Sequence, residues 1–282
     1  MATQDFQPLS LLPPGCHGPG TDATATTHWV PFPYDDVPRL DRQNLLAHWV
    51  RLHAGQTGPA PESATLAEGW TMYHNGEFGQ AVALGLQLGA EGLALANQAT
   101  AVYANYLEPR ERVRLALFLQ VAERAAGQAA VEPDNCHALY WEAYALGRYA
   151  QGISVARALA QGLGSKVKLV LERVIALQPR HADAHLALGA FHAEVIDKVG
   201  PLVGRMTYGV RAETARALFE RGLALNPASA SGWMEYGRAL LMLEGDARLS
   251  EATQLYEKAA AVVPVDARER LDVELARAGL RD

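Results

Sequence analysis

The stretch "FERGLALNPASASGWMEYGRAL", residues 219–240, shows how the chain changes direction. Both flanks of Pro227 have the composition of helices, but proline lacks the backbone N–H donor and clashes with the preceding helical turn. A helix therefore ends before Pro227, and Ser229 or Ser231 can cap the helix that follows. The stretch predicts two antiparallel helices joined by a short turn.

The same pattern recurs around Pro133, Pro179 and Pro264. Eight residues before each of the four prolines the side chain is apolar: Ala125, Leu171, Phe219 and Tyr256. Ten residues after the first three prolines the residue is small: Ala143, Gly189 and Gly237. Small residues let two helices approach closely where they cross, and large residues fill the space between adjacent pairs. We interpret Trp233, which follows Pro227 by six residues, as a large side chain packed between repeats.

This pattern resembles the tetratricopeptide repeat (TPR), a helix–turn–helix unit of about 34 residues with a proline after its second helix. The likeness is strongest over residues 165–264 and weaker over residues 67–88, where Asn75 and Gly76 provide the turn. Residues 89–130 look helical but show no clean repeat. The resemblance implies an all-α, right-handed helical-repeat (TPR-like) solenoid of roughly ten helices.

The start of the chain has a different composition. Residues 1–60 contain eight of the fifteen prolines, and "HWVPFPYDDVP" (28–38) alternates aromatic residues with proline, which excludes the interior of a helix. We predict a Pro-rich, irregular N-terminal arm over residues 1–60 and a TPR-like helical-repeat domain over residues 61–282. The arm is expected to lie along the helices and bury Trp29, Phe32 and Tyr34; the alternative is a motif that another protein reads.

Two helices are predicted at the ends of the array. Residues 41–55 read as the arm's one short helix, which ends at Gly55 and shares one apolar face among Leu45, His48, Trp49 and Leu52. At the other end, Asp266 and Glu269 resemble a capping pair before the strongly charged helix 267–279. Because terminal repeats need a polar outer face, we interpret this last helix as a solvating cap.

The repeats are wider than the TPR unit. Successive prolines lie 46, 48 and 37 residues apart, so two repeats carry extra material at residues 147–166 and 197–213. We call these segments the two insertions. The first is expected to extend a helix or add one over Ile153–Leu163, and the second to bend several times at its glycines. Because repeats stack in register, both should lie on one side of the solenoid.

Two interpretations of the insertions remain open at this point. They can pack on each other and thicken the scaffold, or they can wall an apolar cleft with Arg148, Arg205 and Tyr208 as its polar contacts. Helical-repeat proteins associated with tripartite transporters, and those named regulators of microtubule dynamics, are distantly similar in having widened repeats. No functional residue is carried over from that likeness.

Composition excludes several classes of function. The chain has 282 residues and a formal net charge of −6, so it lacks the basic surface that nucleic acid requires. It has no run of about 18 apolar residues, so no membrane span is expected. Its two cysteines, Cys16 and Cys136, read as unrelated thiols. We expect a cytoplasmic protein, and a periplasmic one if a signal segment has been trimmed from the N-terminus.

The sequence shows no catalytic signature. GxGxxG, HExxH and GxSxG are absent, and "GLGSK" (162–166) lacks the spacing of a phosphate-binding loop. We therefore predict no enzyme activity and no cofactor. His181, His185 and His192 are the best metal candidates. His185 and His192 occupy frame positions that face neighbouring helices, so we interpret them as core histidines and predict no metal site.

Helical solenoids bind mostly through their concave face, which the first helix of each pair lines. The repeat frame and the insertions select seven candidate binding residues: Tyr140, Tyr144, Arg148, Glu194, Arg205, Tyr208 and Arg238. The frame provides no ring of Lys and Asn that would clamp a carboxylate tail. We predict a non-catalytic scaffold that binds a protein or peptide on this face. The alternative is a periplasmic or lipid-associated carrier of an apolar small ligand, held by the insertions.

Overall fold

The computed structural model describes residues 29–281. Its contacts divide the chain after Val30, and the second unit, Pro31–Asp282, is compact; of the first unit only Trp29 and Val30 are described. The expectation for Cys16 lies outside the described residues, and burial of Trp29 against the helices stays a prediction. The border predicted between residues 60 and 61 also stays a prediction.

Fourteen α-helices and no strand occur among residues 29–281, so the all-α prediction is confirmed. The helices are α1 (Arg42–Leu52), α2 (Ala64–His74), α3 (Phe78–Gln87), α4 (Leu93–Tyr106), α5 (Glu111–Val131), α6 (Cys136–Gln151), α7 (Val155–Ala160), α8 (Leu163–Leu177), α9 (Ala182–Val199), α10 (Pro201–Tyr208), α11 (Ala212–Leu225), α12 (Ala230–Glu244), α13 (Leu249–Ala260) and α14 (Ala267–Gly279). They exceed the roughly ten expected in the array partly because each insertion contributes a short helix, α7 and α10, and because α1 belongs to the predicted arm.

The four prolines mark the boundaries between helical pairs, as predicted. Each follows the second helix of a pair (α5, α8, α11 or α13) and precedes the first helix of the next (α6, α9, α12 or α14). The four first helices begin at residues whose side chains accept a backbone N–H: Asn135, His181, Ser229 and Asp266. Each proline thus ends a helix, and the side chain of a capping residue shortly after it accepts one of the free backbone N–H groups at the start of the next helix.

Small residues lie where helices cross, also as predicted. A Cβ atom added to Gly189 would lie 3.0 Å from the ring of Phe219, and one added to Gly237 would lie 2.9 Å from the ring of Tyr256. Each glycine is the small residue after one proline, and each ring is the large residue before the next. Trp233 is half-buried between two core clusters and donates to Pro227 O (2.9 Å), so its interpretation as a packed wedge is confirmed.

The first insertion adds a short helix, α7, as predicted, but the second does not bend repeatedly. It forms α10, which starts after Gly200 (φ +82°) and ends at Gly209 (φ +68°). Pro201 occupies the first helical position, where its missing N–H costs nothing. Gly204, expected to be a bend, is instead buried against Val210.

The start of the second unit packs against the repeats. Tyr34 is half-buried beneath the Arg270 guanidinium, 3.9 Å from the ring centre, and Phe32 lies against Gly76. Helix α1 buries Leu45 and Trp49, but His48 is exposed and bonds to Asn44 O, so the predicted four-residue apolar face was too wide.

The two ends of the helical array contact each other. Arg51 on α1 pairs with Glu269 on α14 at 2.5 Å, and Arg270 Nε donates to Asp36 Oδ1 at 2.9 Å. Asp272, also on α14, is buried and accepts from Tyr106. The interpretation of α14 as a solvating cap was therefore wrong for these side chains, because its charges pair inside the fold instead of facing water.

Candidate functional site

A half-open pocket is lined mainly by the first helices α6, α9 and α12, and α4, α8 and Arg268 of α14 complete it. We call it the concave pocket. The space among its lining atoms is about 900 Å³, counting its open mouth. Tyr140, Tyr144, Arg148 and Glu194 line it together.

The other three candidate residues lie elsewhere. Arg238 is exposed beside the pocket, with Nη1 3.9 Å from Glu235 Oε2. Arg205 is exposed on α10, and Tyr208 lines a second space described below. The structure therefore brings four of the seven candidates into one pocket, because those four lie on α6 and α9, whereas Arg205 and Tyr208 lie on α10 and Arg238 is on an exposed part of α12.

Arg148 is held in place on three sides. Its Nη2 donates to Glu235 Oε1 (2.9 Å), its Nη1 donates to Gln151 (3.2 Å), and its guanidinium lies 5.3 Å from the centre of the Tyr144 ring. Although burial alone would lower the pKa of Arg148, the neighbouring Tyr144 and Glu235 hold it well above its usual value. A permanent positive charge thus stands in the pocket wall, already paired.

Glu194 supplies a carboxylate to the same pocket. It accepts from Gln151 Nε2 at 2.5 Å, and its pKa is raised by burial and by the negative charge of Glu235. Two carboxylates of like charge therefore share this part of the pocket, with Arg148 as a nearby counter-charge. An added cationic group would relieve their repulsion.

The lining of the pocket includes an ion pair that the sequence analysis did not select. Arg268 Nη2 lies 3.5 Å from Asp183 Oδ2, which also accepts from Gln56 Nε2 (3.3 Å). Asp183 N–H donates to Gly55 O (3.0 Å). Burial opposes the charge, yet Asp183 holds the pKa of Arg268 well above its usual value. The pair and its hydrogen-bond partners thus come from three distant parts of the chain.

One signal could have pointed to this pair. The repeat frame places Asp183 on the concave face, and a carboxylate among apolar positions calls for a partner. Arg268 was missed because it belongs to the helix interpreted as a solvating cap. Nothing in its local sequence indicates that α14 faces inward.

A second space adjoins the first between the two insertions, and we call it the apolar chamber. Helices α7 and α9 supply most of its lining, including Val155, Leu159, Val195 and Val199, and Tyr208 of α10 completes it. Gln151, Phe191 and Glu194 line both spaces. The interpretation of the insertions as walls of an apolar cleft is thus consistent with this geometry.

The histidines proposed as core residues are buried and engaged with the backbone. Ala184 N–H donates to His181 Nδ1 (3.1 Å), His185 Nε2 donates to Pro179 O (3.1 Å), and Arg211 N–H donates to His192 Nδ1 (3.2 Å). Among residues 29–281, no group of three His, Cys, Asp or Glu side chains has the arrangement of a metal site. The three histidines therefore form hydrogen bonds with backbone groups at or next to the ends of helices.

Comparison with solved structures identifies the fold. The chain is similar to the crystal structure of TTC0263, a thermophilic TPR protein of Thermus thermophilus, with a TM-score of 0.53 and 21% identity. The match covers 76% of this chain and 97% of the other. The fold is therefore a TPR-like helical-repeat solenoid, as the proline frame predicts.

Comparison of sequences adds no relative. No protein-family model matches the chain, and no curated protein matches it. None of the helices within residues 29–281 is long and apolar enough to cross a membrane.

Proposed function

We propose that this chain is a non-catalytic scaffold that binds a peptide segment of a protein partner in the concave pocket. The observation that carries the proposal is the convergence of Tyr140, Tyr144, Arg148 and Glu194 on one half-open pocket of a helical-repeat fold. Helical repeats use such concave faces to bind extended ligands.

The chemistry of the pocket favours a peptide with a basic residue next to an apolar one. Burial and, after it, the negative charge of Glu235 raise the pKa of Glu194, so a Lys or Arg side chain of the peptide is stabilised beside the two carboxylates. The adjoining apolar chamber can receive an apolar side chain from the same peptide. Aromatic rings at Tyr144 and Phe191 offer contact area at low entropic cost.

The ionisable groups of the pocket support binding and not chemistry. Arg148 and Arg268 each have a carboxylate partner, and burial raises the pKa of Tyr140 and Tyr106, which keeps both phenols neutral. Cys136 is a buried free thiol whose pKa is raised by burial and by Asp134, so it is a poor nucleophile. A free thiol also suits the cytoplasm, the compartment we propose.

Selection of random peptides on the purified protein tests the proposal. Selected peptides should share a basic residue beside an apolar residue. Glu194→Gln and Tyr144→Ala should each weaken their binding by roughly tenfold, or about 1.4 kcal/mol, in fluorescence anisotropy. Glu123→Gln, an exposed carboxylate on α5, is the matched control and should leave affinity unchanged. Equal binding by both pocket variants and the control would refute the site.

The apolar chamber favours a second candidate function, the transport of an apolar small ligand. Six Val and Leu side chains are among the fifteen residues that line its space of about 660 Å³, counting the open mouth. Native mass spectrometry of the purified chain should then show a co-purified small molecule. Ala158→Phe, which fills the chamber from α7, should remove that mass without changing the circular-dichroism spectrum.

A further inference from the structure

The two insertions carry positive charge on an acidic protein. No Asp or Glu occurs from residue 143 to residue 171, or from residue 198 to residue 212, although the whole chain has a net charge of −6. Arg157 on α7 and Lys198 and Arg205 around α10 are exposed. The charge of this region is therefore opposite in sign to that of the molecule.

Large apolar side chains protrude from the same region. On α10, Leu202 is 71% exposed, Val203 is 53% exposed and Met206 is 79% exposed. Val155 and Leu159 on α7 are exposed by 40% and 46%. A soluble surface rarely groups such side chains without a partner.

The buried face of helix α10 carries a small residue, and its exposed face carries large apolar side chains. Gly204 is buried, and a Cβ at this position would lie 2.9 Å from Val210 and 3.2 Å from Val195. Leu202 and Met206, four residues apart, share the opposite side. The helix is thus amphipathic with its apolar face turned outward.

The two helices are neighbours in space. A Cβ atom at Gly164, in the first turn of α8 two residues beyond the α7–α8 junction, would lie 3.0 Å from the Tyr208 ring at the end of α10. Val155, Ala158 and Leu159 of α7 and Tyr208 of α10 line the same apolar chamber. Their exposed side chains therefore form one surface, which we call the insertion surface.

The nearby acidic groups do not neutralise this surface. Lys166 pairs with Glu142 and Lys168 with Glu172, while Arg211 lies 4.0 Å from Glu213. Asp197 is the exposed carboxylate at the start of the second insertion. Arg157 and Arg205 are exposed and form no ion pair within the described part of the chain, so their charge faces solvent.

We propose that the insertion surface binds the surface of an anionic lipid membrane. Side chains exposed by 71% and 79% stand clear of their neighbours, so they suit insertion between lipid headgroups better than they suit the wall of a groove. Anionic headgroups supply the complementary charge for Arg157, Lys198 and Arg205. This inference does not depend on peptide binding in the concave pocket.

Vesicle flotation with the full chain tests the proposal. The protein should float with vesicles of phosphatidylcholine and phosphatidylglycerol, remain behind with phosphatidylcholine alone, and lose binding as salt is raised. Arg157→Glu/Arg205→Glu should reduce the partition coefficient by at least about twentyfold, since each basic residue near such a surface contributes roughly fivefold. Leu202→Asp/Met206→Asp should abolish flotation.

Matched control variants test whether binding depends on the insertion surface itself or only on the net charge and exposed apolar area of the whole protein. Arg112→Glu/Arg277→Glu changes net charge equally at exposed sites elsewhere, and Val131→Asp/Val263→Asp replaces side chains that are 82% and 80% exposed. Both controls should float like the wild type. Failure of the wild type to float, as expected if the surface receives an acidic protein, would overturn the proposal, and so would equal loss in variants and controls.

Discussion

His74 Nδ1 lies 2.6 Å from Asp266 Oδ2, although 192 residues separate the two in the chain. Both side chains are buried, and His74 Nε2 lies 3.1 Å from His53 Nε2. Asp266 also accepts from Glu269 N–H (2.8 Å), which caps α14. Burial would raise the pKa of Asp266, but the bonds from His74 and Glu269 lower it. One carboxylate thus fixes the last helix both to its own backbone and to α2.

Removing the imidazole tests the energetic weight of this contact. His74→Leu leaves the Asp266 carboxylate buried without its partner, and we expect a loss of about 3–5 kcal/mol in the free energy of unfolding. Urea unfolding followed by circular dichroism measures it. Arg173→Leu, which breaks the exposed pair with Asp134, should cost less than about 1 kcal/mol. Equal costs for the two variants would contradict the role given to His74.

Stability should fall as the solution becomes acidic. Burial and the charge of His181 lower the pKa of His137 to about 3, and burial lowers that of His181 to about 4. Between about pH 6.5 and pH 4 the unfolded chain binds a proton at each site that the folded chain does not. Each histidine therefore removes about 1.4 kcal/mol of stability per pH unit as pH falls through that range.

Asp272 acts in the opposite direction. Burial raises its pKa to about 6, so between its unfolded value and that pH the folded chain binds the extra proton. It offsets one of the two histidines, and the net slope from these three groups is about 1.4 kcal/mol per pH unit. His137→Gln should flatten the slope by a similar amount, since it removes one of the two histidine contributions. Superimposable pH profiles for the variant and the wild type would argue against this assignment.

Gly55 should tolerate no side chain. A Cβ atom there would lie 2.2 Å from Asp183 Oδ1, and Asp183 is held by Gln56 and Arg268. We expect Gly55→Ala to cost about 1–3 kcal/mol of unfolding free energy. Gly127, inside α5, has open space around it, so Gly127→Ala should instead stabilise the protein by up to about 1 kcal/mol. Thermal unfolding of the two variants should shift in opposite directions.

The proline frame could be derived from sequence because its physics is local. Pro227 ends one helix and Ser229 caps the next, and both effects act within a few residues. The pairing of Gly189 with Phe219 follows from the same frame, since helical spacing fixes which residues meet at a crossing. Within the candidate site, Tyr140, Tyr144 and Arg148 were found for this reason.

The contacts between the ends of the array could not be derived in this way. Arg51 and Glu269 are 218 residues apart, and a charged residue has the same local signal whether it faces water or a distant partner. Arg268 was missed for the same reason, because its local sequence does not show that its partner is the distant Asp183. Helix α10 was missed because Gly200 and Gly209 were interpreted as bends, whereas they bound a helix that Pro201 can start.

Cys136 should report opening of the helical pairs. It is buried at the start of α6, and burial and Asp134 raise the pKa of its thiol. In a Cys16→Ser chain we expect an aromatic disulfide reagent to label Cys136 at least about tenfold more slowly than a free cysteine. Added urea should bring the rate to the free value. Fast labelling without urea would mean that α6 is not packed as described.

A short cross-link between α1 and α14 tests most directly that the ends of the solenoid meet around the concave pocket. Arg51→Cys/Glu269→Cys, with Cys16→Ser and Cys136→Ala, places thiols at two positions whose native side chains lie 2.5 Å apart. A bismaleimide with a short spacer should join them within one monomer, giving a peptide that links residues 51 and 269 in the mass spectrum. A monomer that stays unlinked at these positions while both thiols react singly would contradict the contact between α1 and α14.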